Sequence, residues 1–300
     1  DALFVTLRAL GVGPGSKVFI PSFTYTATAE VIVLVGAEPV FVDVDYATFN
    51  ISISDLENKI SKHLPIKNSK ISAIIAVDLF GLPANYKELN KIAIAYELSL
   101  ISDAAQSFGA SIGSERVGKL APITTTSFYP TKPLSCYGDG GAIFTDDQKL
   151  ANIFRSIRAH GISDDPYDNI RVGTNARFDS IQAAILLNKI KIFDAELKKR
   201  HQIADSYNSH LEGFVEIPEV SKNKSSSWAH YTIKVNNRNK LRKFLLEHKI
   251  PTMVYYPKAM HQQTAYKKYN NDKNSLQITE DLCNKVISLP LHPYLDNNQV

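Results

Sequence analysis

Lys132 stands between Pro130 and Pro133 in the stretch Ser127-Phe128-Tyr129-Pro130-Thr131-Lys132-Pro133-Leu134, which runs on to Tyr137-Gly138-Asp139-Gly140-Gly141. A β-branched run at 124–126 enters this stretch and an apolar run at 142–145 leaves it, so the pattern predicts strand, tight loop, strand. The prolines fix φ on either side of the lysine. An amine held rigidly in a loop suits covalent chemistry with a carbonyl, although most turn lysines are no more than solvated surface charges. Upstream, an apolar run at 98–102 ends in Asp103. A carboxylate at the carboxyl end of a buried parallel strand lies where open α/β sheets bind ligands.

The neighbouring segments have the periods needed to place these groups. Apolar residues at 3, 4, 7 and 10 mark a first helix. Strand patterns follow at 17–20 and 39–45, around a helix that opens within 21–30 and reaches about 35, its threonines suited to caps and Gly36 to its end. A polar-faced helix at 55–64, a lysine-bearing loop, an apolar strand at 71–77, a loop at 78–83 and an amphipathic helix at 86–97 continue the alternation. That alternation predicts a mostly parallel, doubly wound α/β sheet. Gly11-Val12-Gly13-Pro14-Gly15-Ser16 follows a helix and precedes a strand, the wrong context for a dinucleotide fingerprint. Further on, the pattern predicts a helix over 147–160, a polar mobile loop over 162–171 and one long helix over 179–211. The long helix links a large domain, 1–190, to a small α+β domain, 191–300, with strands near 229–235 and 252–256 and a helix at 240–247. Residues 270–275 come nearest to a disordered tip.

Composition narrows the class. Three hundred residues, 44% hydrophobic and 21% charged, describe a globular protein with ample core. A net charge of +4 gives no warrant for nucleic-acid binding, and the basic residues crowding 189–200 and 234–249 read as solvated helix faces. Cys136 and Cys283 cannot build a disulfide framework, which fits a reducing cytoplasm. No apolar run reaches the roughly 18 residues of a membrane span. No cluster of Cys, His and carboxylates has metal-ligand spacing.

Asp103, Gln106 three residues later, Ser127, and Lys132 five after that serine occur in the order seen in the DegT/DnrJ/EryC1/StrS family of pyridoxal 5'-phosphate (PLP) sugar aminotransferases, which the chain resembles from residue 1 to about 296. The resemblance implies fold type I, aspartate aminotransferase-like, and a homodimer with shared active sites. It implies that Lys132 carries PLP and moves protons, that Asp103 keeps the ring nitrogen protonated, and that Gln106 lies by the ring hydroxyl. It assigns Ser127 to the phosphate and Tyr25 to stacking on the ring, with a core aromatic an equal reading for Tyr25. Gly173-Thr174-Asn175-Ala176-Arg177 matches a Gly-x-Asn-x-Arg segment whose Asn175 reaches the phosphate of the neighbouring subunit's cofactor. Gly138, Gly140 and Gly141 are expected to let backbone approach a ligand closely. The family's Gly-Thr pair, which cradles the phosphate, would precede Asp1. The chain is therefore expected to continue beyond its first residue, and by a last helix beyond its final one.

Within that family, Tyr129-Pro130-Thr131-Lys132-Pro133-Leu134, Ile170-Arg171-Val172-Gly173 and Ser288-Leu289-Pro290-Leu291-His292-Pro293-Tyr294-Leu295-Asp296 look most like the branch that aminates a UDP-linked 2-acetamido-3-oxo-glucuronate with L-glutamate, for O-antigen and other surface polysaccharide. Two carboxylate-bearing substrates call for cations. Arg177 is the candidate, because a guanidinium fork suits a carboxylate, and a plain surface arginine at a helix start is its rival reading. Tyr255 and Tyr256 line the sugar pocket or simply pack. His160 is a further substrate candidate, a helix-end cap being the ordinary alternative. A 4-keto dTDP- or UDP-hexose aminotransferase and a non-catalytic regulatory homologue stay open. The intact Lys132, Asp103, Gln106 and Ser127 set speaks against the latter.

Overall fold

A computed structural model of the chain describes residues 1–63, 70–270, 276–296 and 298–300. Its first part alternates helix and strand: α1 (Ala2–Ala9), β1 (Ser16–Pro21), α2 (Thr26–Leu34), β2 (Glu38–Val42), α3 (Ile53–His63), β3 (Lys70–Val77), α4 (Tyr86–Ala95) and β4 (Ser99–Asp103). Two short strands, β5 (Ser111–Ile112) and β6 (Glu115–Arg116), precede β7 (Ile123–Ser127) and β8 (Gly141–Phe144). Then come α5 (Gln148–Ile157), α6 (Ser180–Lys189), α7 (Phe193–Leu211), β9 (Lys224–Ser225), β10 (Tyr231–Lys234), α8 (Arg238–Glu247), α9 (Gln277–Lys285) and β11 (Val286–Leu289).

Six strands form the central sheet in the order β2-β1-β3-β4-β7-β8, all parallel except β8, which runs antiparallel to β7. The α/β expectation holds, and the reason is visible in the strand interiors. Phe19, Val42, Ile74 and Leu100 face Leu56, Ile60 and Leu89 of α3 and α4. The alternate residues Val18, Ile20, Ile75 and Ile101 face Leu7, Ala29 and Ile32 of α1 and α2. Both faces are covered, so these strands read as continuous apolar runs. A second cluster, with Ile203, Tyr207, Trp228, Tyr231, Ile233 and Ile287, joins α7 to the antiparallel β10–β11 pair.

Two expected elements differ from what forms. The single helix over 179–211 is two helices, broken at Ile190–Ile192, where amides reach back three residues (Lys191 N to Asn188 O, 3.3 Å; Ile192 N to Lys189 O, 3.2 Å). The break turns Phe193 inward, where it is buried and stacks on Phe108 at 5.8 Å. Gly109 makes room: at φ +94°, a Cβ there would lie 2.8 Å from the Phe193 ring. The strand expected at 252–256 is also absent, because the neighbouring edge meets only Met253, bridged to Ser288. Beyond it Tyr255 and Tyr256 turn their rings toward His230 and Phe23. Residue 64, the expected end of the helix at 55–64, residues 65–69 of the lysine-bearing loop after it, and residues 271–275 of the tip expected at 270–275 lie outside the described residues.

Candidate active site

The parallel strands carry their carboxyl ends to one edge of the sheet, and Asp103, Asp78, Ser127 and the turn before α2 all follow such ends. Asp103 closes β4 between Val77 of β3 and Thr125 of β7. It is 6% exposed. Its Oδ2 accepts the Thr28 hydroxyl at 2.9 Å and its Oδ1 accepts the Ala105 N–H at 3.2 Å. Burial pushes its carboxyl above the ordinary range, while Thr28, Ala105 and the nearby Lys132 ammonium pull it down.

Lys132 sits in the β7–β8 loop, half-buried, its backbone N–H on the Tyr129 carbonyl at 2.9 Å. Phe128 N to Gly140 O at 2.7 Å and Cys136 N to Phe128 O at 2.8 Å close the loop, and buried Leu134 and Cys136 anchor it. Burial lowers the Lys132 ammonium and Asp103 raises it. The amine therefore deprotonates more readily than a surface lysine, and its positive charge acts on the Asp103 carboxylate. Gly138, Gly140 and Gly141 are each packed closely by protein on their Cβ side. The space of a Gly138 Cβ is taken by Gln182 Nε2 at 2.9 Å, that of Gly140 by the Phe178 ring, and that of Gly141 by the Thr126 carbonyl at 2.6 Å.

Gln106 is buried, with Oε1 accepting the Phe80 N–H at 2.7 Å and Nε2 donating to Tyr256 Oη at 3.4 Å. Tyr256 packs edge-on to Phe23 at 6.0 Å and lies 6.4 Å from the Tyr25 ring, which is 57% exposed at the start of α2. Burial pushes the Tyr256 phenol well up, so it stays a neutral hydrogen-bonding group. Ser127 Oγ accepts the Tyr129 N–H at 3.3 Å, leaving its own proton to donate.

The structure places Asn175, Arg177 and His160 elsewhere. They form a ledge against the end of α5: Asn175 bridges Ala159, His160 N donates to Thr174 O at 3.0 Å, and Arg177 Nε donates to Asn175 Oδ1 at 3.0 Å. All three side chains are exposed, and the segment reaches the Lys132 loop through Phe178, whose ring lies 6.0 Å from that of Phe128.

Several site residues had no signal in the sequence. The threonines of 21–30 looked like caps, yet α2 has no side-chain cap bond. Thr28 holds Asp103 instead, with Thr24 Oγ1 3.3 Å behind it. Asp78, at the end of β3, is wholly buried and accepts from Ala84 N–H at 2.8 Å, Ser107 Oγ at 2.7 Å and Tyr86 Oη at 2.7 Å. Burial raises its carboxyl to about 6, with the charge of Asp103 adding to the shift. The Asp78 backbone N–H also donates to the Asp103 carbonyl at 3.1 Å, so this residue, through backbone and carboxylate together, ties the turn after β3 to the turn after β4. His230 stands beside them against Tyr255.

An amine, a buried carboxylate lacking a bonded cation, a free hydroxyl proton and exposed aromatic faces can hold a flat group that offers a carbonyl to Lys132 and a basic ring nitrogen to Asp103. Sheet and site together define an α/β protein built for amine chemistry. The chain belongs to the DegT/DnrJ/EryC1/StrS aminotransferase family, whose model matches residues 1–300. It is 43% identical over 301 residues to UDP-2-acetamido-2-deoxy-3-oxo-D-glucuronate aminotransferase of Pseudomonas aeruginosa, covering 100% of this chain and 81% of that protein. A DegT DnrJ EryC1 StrS aminotransferase from Brucella abortus superposes with a TM-score of 0.98 at 46% identity, over 100% of this chain and 80% of that one. NtdA from Bacillus subtilis, solved with bound cofactor PMP, gives 0.89 at 31% identity, over 100% and 68%.

Proposed function

We propose that the chain is a PLP-dependent aminotransferase that converts UDP-2-acetamido-2-deoxy-3-oxo-glucuronate to its 3-amino sugar with L-glutamate, in the cytoplasm, for surface polysaccharide such as O-antigen. The observation that carries the cofactor is Asp103, buried at the carboxyl end of β4 with Thr28 and Ala105 as its hydrogen-bond donors, within charge reach of the half-buried Lys132. PMP, held by one structural relative, is the amino form of PLP. The likeness along the whole chain to the Pseudomonas aeruginosa enzyme supports the substrate. When bound, PLP draws electrons from the substrate carbon toward its ring nitrogen.

Each residue then has a task its surroundings suit. Lys132 Nζ attaches the cofactor and, once displaced, moves a proton at the substrate carbon, for which a lowered pKa is an advantage. Asp103 holds the proton on the ring nitrogen. Ser127 donates to the phosphate, Tyr25 covers the ring, and Gln106 and Tyr256 border the ring hydroxyl and the sugar. Asn175 and Arg177, on their separate ledge, serve the partner's site, Asn175 at its phosphate and Arg177 at a substrate carboxylate; His160, on the same ledge, borders that substrate. The dimer reading is supported by α6, which buries none of its residues, and by the exposed Tyr137, Val172, Ile181 and Leu187. Tyr137 N lies 2.8 Å from Gln182 Oε1, so this uncovered apolar face adjoins the Lys132 loop.

The test is a panel of keto-sugar nucleotides offered to the holoenzyme with glutamate, with products identified by mass spectrometry. The 3-oxo-glucuronate should be aminated fastest. Preference for a 4-oxo hexose would overturn the substrate and leave the aminotransferase standing.

A further inference from the structure

His230 begins where the second part of the chain meets the loop after β3. Its backbone N–H reaches the Phe80 carbonyl at 3.4 Å, and the Phe80 N–H in turn holds Gln106. Close approach of the two segments depends on Gly81, at φ +105°, where a Cβ would lie 2.8 Å from Trp228 N. The imidazole lies 4.4 Å from the Tyr255 ring and edge-on to Phe80 at 5.9 Å. Gln106, Phe80, His230, Tyr255 and Tyr256 thus close a ring of contacts, within reach of the Lys132 charge.

Within that ring the imidazole is partly exposed, and no hydrogen bond joins its ring nitrogens to another described residue. Those nitrogens are open to water or to a bound ligand. Surrounding protein, with the Lys132 and Arg200 cations nearby, holds His230 down to about 4, so it is neutral in working conditions. A neutral imidazole offers one donor and one acceptor and gives little to the carboxylates of an amino donor. Sugar hydroxyls and amides, by contrast, are recognised by such paired neutral groups beside aromatic faces.

Resting on the nucleotide-sugar reading above, we propose that His230 is a specificity-determining residue, hydrogen-bonding a hydroxyl or the acetamido group of the keto sugar next to Tyr255. It acts in the half-reaction with the sugar and not in the half-reaction with glutamate.

His230→Phe keeps the ring's stacking and deletes its nitrogens, while His230→Gln restores a donor and an acceptor. In the holoenzyme the two half-reactions are followed separately through the cofactor's absorbance, and binding of the amino-sugar product is measured by calorimetry. His230→Phe should raise the KM for the keto sugar and the Kd for the product about tenfold, the size of one lost hydrogen bond. The glutamate half-reaction should stay within about twofold, and His230→Gln should recover most of the loss. Equal loss in both half-reactions, or no change in sugar binding, would overturn the proposal. If the phenylalanine variant does not fold, His230→Leu carries the same comparison. A wild-type enzyme that reacts with glutamate but accepts no keto-sugar nucleotide would overturn the nucleotide-sugar reading, and this inference with it.

Discussion

Asp103 sits among neutral partners, held by a threonine hydroxyl and a backbone amide, with Lys132 the nearby charge that favours its ionised form. Such a carboxylate is suited to a cationic ring nitrogen. Asp103→Asn should keep the fold and lower turnover about a thousandfold, ~4 kcal/mol in barrier. Steady-state kinetics on the loaded enzyme checks this, and a rate within about tenfold of wild type would reduce Asp103 to an anchor for Thr28. Asp78 has a different signature. Its folded pKa, about 6, exceeds the ordinary 3.8, so the folded chain binds more protons than the unfolded one between these values. Its contribution to stability is fully present below 3.8 and is lost as pH rises through about 6. Wild type should therefore gain on Asp78→Asn between pH 8 and pH 5 in paired urea titrations. An unchanged difference between the two proteins would show that Asp78 does not titrate in this range.

At the scale of elements, His261 is the side chain that binds the end of β1 to α9. It is 3% exposed, with Nδ1 2.6 Å from Ser22 Oγ and Nε2 2.9 Å from Glu280 Oε1. His261→Ala leaves a buried hydroxyl and a cavity, and should cost about 2–4 kcal/mol by denaturant unfolding. A cost under about 1 kcal/mol would mean that water or a neighbour replaces the ring. The serine is wholly buried, so this Ser-His-Glu arrangement works as a clamp and not as a nucleophile. Clamps of this kind are invisible in sequence, because Ser22, His261 and Glu280 meet only after folding. The same holds for Asp78, whose partners converge once β3 and β4 pair. The sheet was legible because its strands are buried on both faces and so read as unbroken apolar runs. The break before α7 was not, since Ile190, Lys191 and Ile192 are all acceptable in a helix and burial of Phe193 against Gly109 decides the matter. The positions of Asp103 and Lys132 were legible because the strand patterns before them are plain, Asp103 closing β4 and Lys132 lying in the loop after β7. Thr28 and His230 act through contacts distant in sequence, and nothing local marks them.

At the scale of the whole molecule, the Asn175–Arg177 ledge presents exposed side chains and α6 leaves an apolar face uncovered beside the Lys132 loop. On the dimer reading proposed above, a second copy covers that face and brings its ledge to the first copy's cofactor. Lys132→Ala and Asn175→Ala, each inactive alone, should then complement when dissociated and reassembled together. Each hybrid dimer contains one site with both native groups, and should recover about half of wild-type activity. A dead hybrid would place Asn175 in its own chain's site. The most direct test of the site as a whole is borohydride reduction of the holoenzyme followed by peptide mapping. The cofactor should be fixed to Lys132 and to no other residue, and Lys132→Ala should yield no adduct; an adduct on any other lysine would contradict the assignment.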